Sequence, residues 1–325
     1  MEAKYLTTKE ELAAWDRFVD HSAQGSVFAK TFYLDAVGQP YKIVALTDRS
    51  RLHAGIVLGR DSLCTCSNPL FAKYLGILFR PAEGSYANRL TKEKAFVDQL
   101  MPFISSCSTF SYTFHPNFTN WLPFYWHGYR QQTCYTYRIT DMADVSVIES
   151  SMQSRARNDI NRAINQGIRI DGSIEFDEFH EVNGKSYQRQ GWKPPYTRRF
   201  LEQFCSALRE RNCLDCFGAR DRNGKLHAVC GVVYDTQTCY LILNGIDHRM
   251  PGCGANTLLL FEAIKHASKR ARIFDFEGSM LAGIEKFYRS FGGTLTPYFD
   301  IWRPNLLTLF RRLAVRLYKK VAYGK

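Results

Sequence analysis

The sequence predicts an α/β chain of two similar domains, each a mixed, mostly antiparallel sheet flanked by helices. Three observations predict it. Residues 240–293 read strand, glycine loop, helix, strand, helix, which is a crossover unit of a sheet. Apolar runs joined by short polar turns, at 41–61 and across Asn223-Gly224, spell a hairpin in each half. Helices, a hairpin and a crossover recur on both sides of a division near residue 142, and 325 residues at 45% hydrophobic content suffice for two cores of ordinary size.

Each element has a local reason. A Thr cap in TTKEEL, with a Glu three places on, starts a helix that carries Leu12, Trp15, Phe18 and Val19 at helical spacing. Residues 25–37 give a turn and a short helix, and 41–48 with 51–61 form the first hairpin. A strand at 74–80 precedes a Pro/Gly/Ser loop at 81–88, a helix over 91–104 and a strand around 110–114. The aromatic-rich stretch that follows holds a short helix and a strand ending near Ile139. In the second half, a helix over 145–165, a strand over 168–174 and a helix over 197–211 lead to the second hairpin. The 240–293 unit then gives a buried strand (240–247), a breaker-rich turn (248–255), an amphipathic helix (256–270), a strand (272–278) and a helix (283–291) stopped by Gly292 and Gly293.

The tail, 305–325, is a basic amphipathic helix. Leu306, Leu309, Phe310, Leu313, Leu317 and Val321 follow helical spacing, and Arg311, Arg312, Arg316, Lys319 and Lys320 fill much of the remaining circumference. Such a helix docks on its own domain or lies on an anionic membrane face.

A net charge of +12 and a pI near 9.2 favour acidic partners: nucleotides, phosphorylated sugars, RNA or an anionic membrane. The competing reading is general solubility, because much of the excess lies in the tail. Ten cysteines in a chain of this length, with no secretory signal, read as reduced thiols of a cytoplasmic protein. Cys64 and Cys66 fall on one strand face, and Cys213 with Cys216 is a lone CxxC. With no second pair, and with His115, His127, His227, His248 and His266 outside ligand spacing, no metal is expected and the histidines receive no role. No run reaches the roughly 18 apolar residues of a membrane span.

Arg249, Gly252 and Gly254 stand at the mouth of a helix, where unpaired N–H groups and the positive end of the dipole make a place for an anion such as a pyrophosphate. This R-x-x-G-x-G-A run, 249–255, resembles the acyl-CoA pyrophosphate loop of the GNAT superfamily of N-acyltransferases. FYRSFG, 287–292, is similar to that superfamily's tyrosine helix, with Tyr288 four residues before Gly292. The wider frame resembles the Fem-type peptidoglycan aminoacyltransferases, through Trp15 and Phe18, GSVF at 25–28, RARNDINRAINQGI at 155–168 and FDFEGS at 274–279. The resemblance implies tandem GNAT-like domains: a degenerate one over 1–142 and a catalytic one over 143–304. It implies acyl-CoA, acetyl-CoA first, as donor, held by Asn244, Arg249, Gly252, Cys253, Gly254 and Ala255. Two departures count. Pro251 removes one N–H from the loop, and Tyr288 stands where the Fem-type pattern has Lys, which favours CoA-dependent transfer over a tRNA donor.

Acyl transfer from a thioester to an amine needs a base for the amine proton, donors for the oxyanion and an acid for the leaving thiolate. Tyr288 is the candidate acid, or else a packed aromatic. Glu277 is the candidate base, or else a salt-bridge partner of Arg249 or Arg272. Asp275, a substrate-binding candidate, and Glu277, two apart on a strand, are expected on one side of the sheet. Asn244 aligns the acyl carbonyl or pantetheine, or else marks a bulge. Arg155 and Arg162 share a helix face that clamps an acceptor phosphate or carboxylate, or else is merely solvated, and Trp192 is placed to stack on a sugar or nucleobase. Three functions compete: an acyl-CoA N-acyltransferase acting on a nucleotide sugar or cell-envelope precursor, a Fem-type aminoacyl-tRNA-dependent transferase, and a binding protein that has kept the fold and lost the chemistry.

Overall fold

The computed structural model describes residues 1–49, 51–59, 65–81, 83–188, 191–247, 249, 252–278, 280–306, 309–310 and 313–314. The expectations resting on Cys64, His248, Pro251, Arg311, Arg312, Arg316, Leu317, Lys319, Lys320 and Val321 lie outside the described residues. Two compact units are present: Met1–Cys134 with the described residues after Thr296, and Tyr135–Thr296.

The first unit opens with a strand the sequence did not announce, β1 (Glu2–Leu6), because a short, half-exposed terminal run has no distinct period. The Thr8 capping box then starts α1 (Lys9–His21), which buries Trp15, Phe18 and Val19 as its spacing requires. After α2 (Thr31–Val37), β2 (Tyr41–Asp48) and β3 (Arg51–Gly59) form the expected hairpin. The short strands β4 (Thr65–Ser67) and β5 (Ile77–Phe79) follow, and the order β1-β2-β3-β5 makes an antiparallel sheet. α3 (Tyr86–Ser105) begins inside the expected loop, since the Ser85 hydroxyl caps the Asn88 N–H at 3.3 Å. β6 (Thr109–Thr113) lies parallel to β4, and Cys66 is disulfide-bonded to Cys107, which corrects the reading of all ten cysteines as reduced thiols. The two cysteines lie 41 residues apart and both are buried, so nothing in their spacing marked the pair.

After α4 (Leu122–Trp126) the chain enters β7 (Arg130–Ile139). The units divide within this strand rather than near residue 142, because Arg138 and Ile139 pair with a strand of the second unit. The expected helix over 145–165 is two, α5 (Val145–Ser151) and α6 (Ser154–Asn165), because the Gln153 N–H bonds to the Ser290 carbonyl at 2.9 Å instead of continuing a ladder. β8 (Arg169–Asp171) precedes α7 (Phe176–Gln188), which the sequence reading left unassigned; Asn183 and Gly184 interrupt its apolar period. α8 (Arg198–Glu210) starts on the Thr197 cap, and β9 (Leu214–Arg220) and β10 (Leu226–Tyr234) form the second hairpin.

The crossover unit is β11 (Thr238–Ile246), α9 (Ala255–Ala267) and β12 (Ile273–Asp275), followed by α10 (Ala282–Arg289). In the order β7-β12-β11-β10-β9-β8, only the β11–β12 pair is parallel. This is the mixed, mostly antiparallel sheet predicted. Leu258, Leu259, Phe261 and Ile264 of α9 bury against Val232, Leu241, Phe274 and Phe276, at about 1.5–3 kcal/mol for each large side chain removed from water. Finally β13 (Thr294–Trp302) returns to the first unit, where Asp300, Ile301 and Trp302 pair with β6.

Candidate active site

β11 and β12 run side by side only at their starts. Thr238, Cys239 and Tyr240 face Ile273, Phe274 and Asp275, after which β12 ends and β11 continues to Ile246. The sheet therefore opens between them, toward the loop that leads into α9. The sequence reading missed this opening because it carried β12 on to residue 278.

At the open end, α9 begins on Gly254, in the left-handed conformation at φ 73°. The first intrahelical bond runs from the Leu258 N–H to the Gly254 carbonyl at 3.1 Å, so the N–H groups of Ala255, Asn256 and Thr257 stay outside the ladder at the positive end of the helix. A Cβ on Gly254 would stand 2.0 Å from the Asp159 carbonyl oxygen, so the loop rests on the backbone of α6 and admits no side chain there. From the same helix, Arg162 donates to the Gly252 carbonyl at 3.0 Å and pairs with Asp159 at 3.1 Å. Arg162 thus braces the loop rather than standing free as an acceptor clamp, while Arg155 is exposed.

Two further placements correct the expectations. The guanidinium of Arg249 holds Asp247 in a fork, Nε to Oδ1 at 3.0 Å and Nη2 to Oδ2 at 2.8 Å, and does not pair with Glu277. Asp247 is buried, and Lys185 of α7 reaches it at 3.0 Å. Hydrogen bonding to Arg249 holds its carboxyl well below the usual carboxylate range, against the opposing effect of burial and with Lys185 adding to it. Asn244 uses its amide on the Val229 carbonyl at 3.1 Å and on Asn256 Oδ1 at 2.8 Å, two residues beyond the irregularity in β11. It ties the first turn of α9 to the sheet.

Asp275 and Glu277 do not share a strand face. Asp275 is fully buried, accepts from the Thr136 hydroxyl at 2.7 Å and from the Glu277 N–H at 2.8 Å, and pairs with buried Arg138 at 3.3 Å. That bond to its own backbone two residues on ends the strand and turns Glu277 into the left-handed region at φ 56°. Gly278 follows at φ 66°, where a Cβ would meet the Tyr135 carbonyl oxygen at 2.2 Å. Asp275, expected to bind substrate, is therefore a buried carboxylate engaged by Thr136, Arg138 and the backbone of Glu277.

Tyr288, on α10, stands across from that turn. Its ring packs on Phe276 at 5.0 Å and Phe287 at 5.9 Å between centroids. Burial pushes the phenol up, and the charge of Glu277 pushes it further. α10 is held by the Tyr137 hydroxyl, which donates to Glu285 at 2.6 Å, a link the sequence did not indicate. Cys253 and Tyr288 both pack against the apolar cluster that includes Ala255 and Phe276. Trp192 is half-buried in the connection between α7 and α8, its backbone N–H donating to the Tyr187 carbonyl at 3.0 Å.

Cys253 has one contact that the sequence reading missed. Its Sγ lies 3.8 Å from His227 Nδ1, and His227 Nε2 lies 2.9 Å from Asp221 Oδ2.

Residues 150–287 match the model of the acetyltransferase (GNAT) domain. No curated protein matches the sequence. Among solved structures, FemX is similar with a TM-score of 0.71 at 13% identity, over 96% of this chain and 99% of that one. The C-terminal domain of a putative lysylphosphatidylglycerol synthetase from Agrobacterium fabrum gives 0.60 at 11% identity, over 95% and 96%. A tandem GNAT protein from the clavulanic acid biosynthesis pathway gives 0.57 at 11% identity, over 93% and 98%. At these identities the likeness is one of fold. Among the described residues no helix is long and apolar enough to cross a membrane. The strand, loop and helix built around Gly254 thus lie within the part of the chain that matches the acetyltransferase (GNAT) domain, residues 150–287, and the chain as a whole is similar in fold to FemX and to a tandem GNAT protein.

Proposed function

We propose that the chain transfers an acyl group from acyl-CoA to an amine, on a nucleotide sugar or a cell-envelope precursor. The observation that supports this reading is that Tyr288 and Cys253 pack against one apolar cluster that includes Ala255 and Phe276, with the charge of Glu277 acting on the Tyr288 phenol. Glu277 takes the proton as the amine attacks the thioester carbonyl. Tyr288, kept protonated by burial and by its acidic neighbour, gives its proton to the departing thiolate. The N–H groups at the start of α9 bind the pyrophosphate of the donor. Arg162 and Asn244 act on the donor indirectly, by fixing the loop and the first helical turn.

Calorimetric titration with CoA tests the placement. Gly252 is the position to change, since a Cβ there meets open space whereas one on Gly254 collides with α6. Gly252→Glu sets a carboxylate beside the anion site, with about 1–2 kcal/mol of backbone strain from φ 81°. CoA affinity should fall at least tenfold, and unchanged affinity would overturn the placement. A tRNA donor is the second reading, supported by the net charge of +12 and by the likeness to FemX along nearly the whole chain. A pulldown scored for CoA against charged tRNA separates the two.

The tail belongs to the same reading. Leu306, Leu309, Phe310 and Leu313 are all exposed, which favours an external surface over docking on the chain itself. Each basic residue near an anionic bilayer adds on the order of 1 kcal/mol at low salt. The protein should sediment with anionic vesicles at low salt and be released by salt, and truncation after Pro304 should abolish pelleting. No pelleting, or pelleting by the truncated protein, would leave the tail without a membrane role.

A further inference from the structure

Among the described residues seven cysteines carry no disulfide, and six of them, Cys134, Cys205, Cys213, Cys216, Cys230 and Cys239, are buried. Cys253 is the partly exposed one, and it also has a base beside it. The Asp221 carboxylate stands in the hairpin turn between β9 and β10, its Oδ1 accepting from the N–H groups of Asn223 at 2.9 Å and Lys225 at 3.0 Å. That leaves Oδ2 for His227 Nε2 at 2.9 Å. A carboxylate at Nε2 selects the tautomer with its proton there, so Nδ1 carries the lone pair and faces the Cys253 sulfur at 3.8 Å. The His227 carbonyl also accepts from the Asp247 N–H at 2.8 Å, which fixes the strand bearing the base against the start of the loop bearing the thiol. Nucleophile, base and orienting carboxylate are in line.

We infer that Cys253 is a base-activated thiol that exchanges with low-molecular-weight disulfides, capping the glycine loop with a mixed disulfide. The thiol proton passes to His227 Nδ1, and the sulfur attacks one sulfur of the disulfide. A new S–S bond forms as the old one breaks, and the departing thiolate takes the proton back from the imidazolium. Cys253 is oxidised, and one half of the small disulfide is reduced to its thiol. The adduct stands one residue before the N-cap of α9, where the helix start favours the phosphates or carboxylates that such molecules carry. The inference does not depend on acyl transfer, because its readout is a mass on one peptide.

The test incubates the full-length protein at neutral pH separately with glutathione disulfide and with CoA disulfide, and follows adducts by intact mass and peptide mapping. One adduct should appear, on the Cys253 peptide, well before any on the six buried cysteines. Faster reaction with CoA disulfide than with glutathione disulfide traces the partner to the phosphate-binding loop, and equal rates trace it to the thiol alone; both orders support the exchange. His227→Gln should slow adduct formation about tenfold or more. Because His227 is buried, Asp221→Asn serves beside it: it keeps the turn, removes the charge behind the imidazole and should slow the reaction severalfold. No adduct, an adduct first on another cysteine, or wild-type rates in Asp221→Asn would overturn the assignment.

Discussion

Tyr288→Phe leaves the fold and CoA affinity intact and lowers turnover by about 10²-fold or more, the usual cost of losing a general acid. The substitution removes one oxygen and keeps the ring on Phe276 and Phe287, so packing is not what is tested. Burial and Glu277 both raise the phenol, so its proton is present throughout the neutral range and is lost only above the ordinary value of about 10. Tyr288 therefore contributes no fall in rate on the acid side, and such a fall reports protonation of the base. Steady-state kinetics with an acyl-CoA decides the matter. A variant turning over at the wild-type rate makes Tyr288 a core aromatic and returns the chain to the reading in which the fold has outlived its chemistry.

Asp275→Asn should cost about 3–5 kcal/mol of stability, the range for breaking a buried ion pair from one side. Arg138 and Asp275 are both buried, and the amide that replaces the carboxylate has the same shape, so the loss is one of charge rather than of volume. Arg138 is then left as an uncompensated cation between β7 and β12. Denaturant titration with the slope unchanged reads the shift of the midpoint directly. A midpoint that does not move would mean that the pair adds nothing net and that Asp275 serves only to turn Glu277.

What was legible in the sequence was what local chemistry alone decides. The Thr8 capping box, the Asn223-Gly224 turn and the glycine start of α9 each fix backbone geometry within a few residues, and each stands where expected. The strand through Glu277 was not legible, because its end is set by Asp275 reaching its own backbone while Thr136 and Arg138, far away in sequence, hold the carboxylate. Arg249 and Asn244 were assigned to a ligand on their position in a motif. Their side chains are engaged by Asp247, Val229 and Asn256. His227 escaped notice for the same reason in reverse, as its partners lie 26 residues ahead and 6 behind and share no spacing rule. Tyr288 was found by resemblance and Glu277 from its place at the end of a strand, and the charge of Glu277 acts on the Tyr288 phenol.

The path of β13 has a consequence for how the protein is made. β6 takes Ser111, Tyr112 and Thr113 into pairing with Trp302, Ile301 and Asp300, and the backbone of Arg303 adds a bond to Phe110 at 2.9 Å. On the ribosome, residues 109–113 are extruded early, and the strand that covers their second edge comes only after all of 135–296. Until then the first unit has an unsatisfied strand edge, open to pairing with other nascent chains. Synthesis of β13 thus closes a strand edge made much earlier, and a chain cut short before Trp302 keeps that edge open.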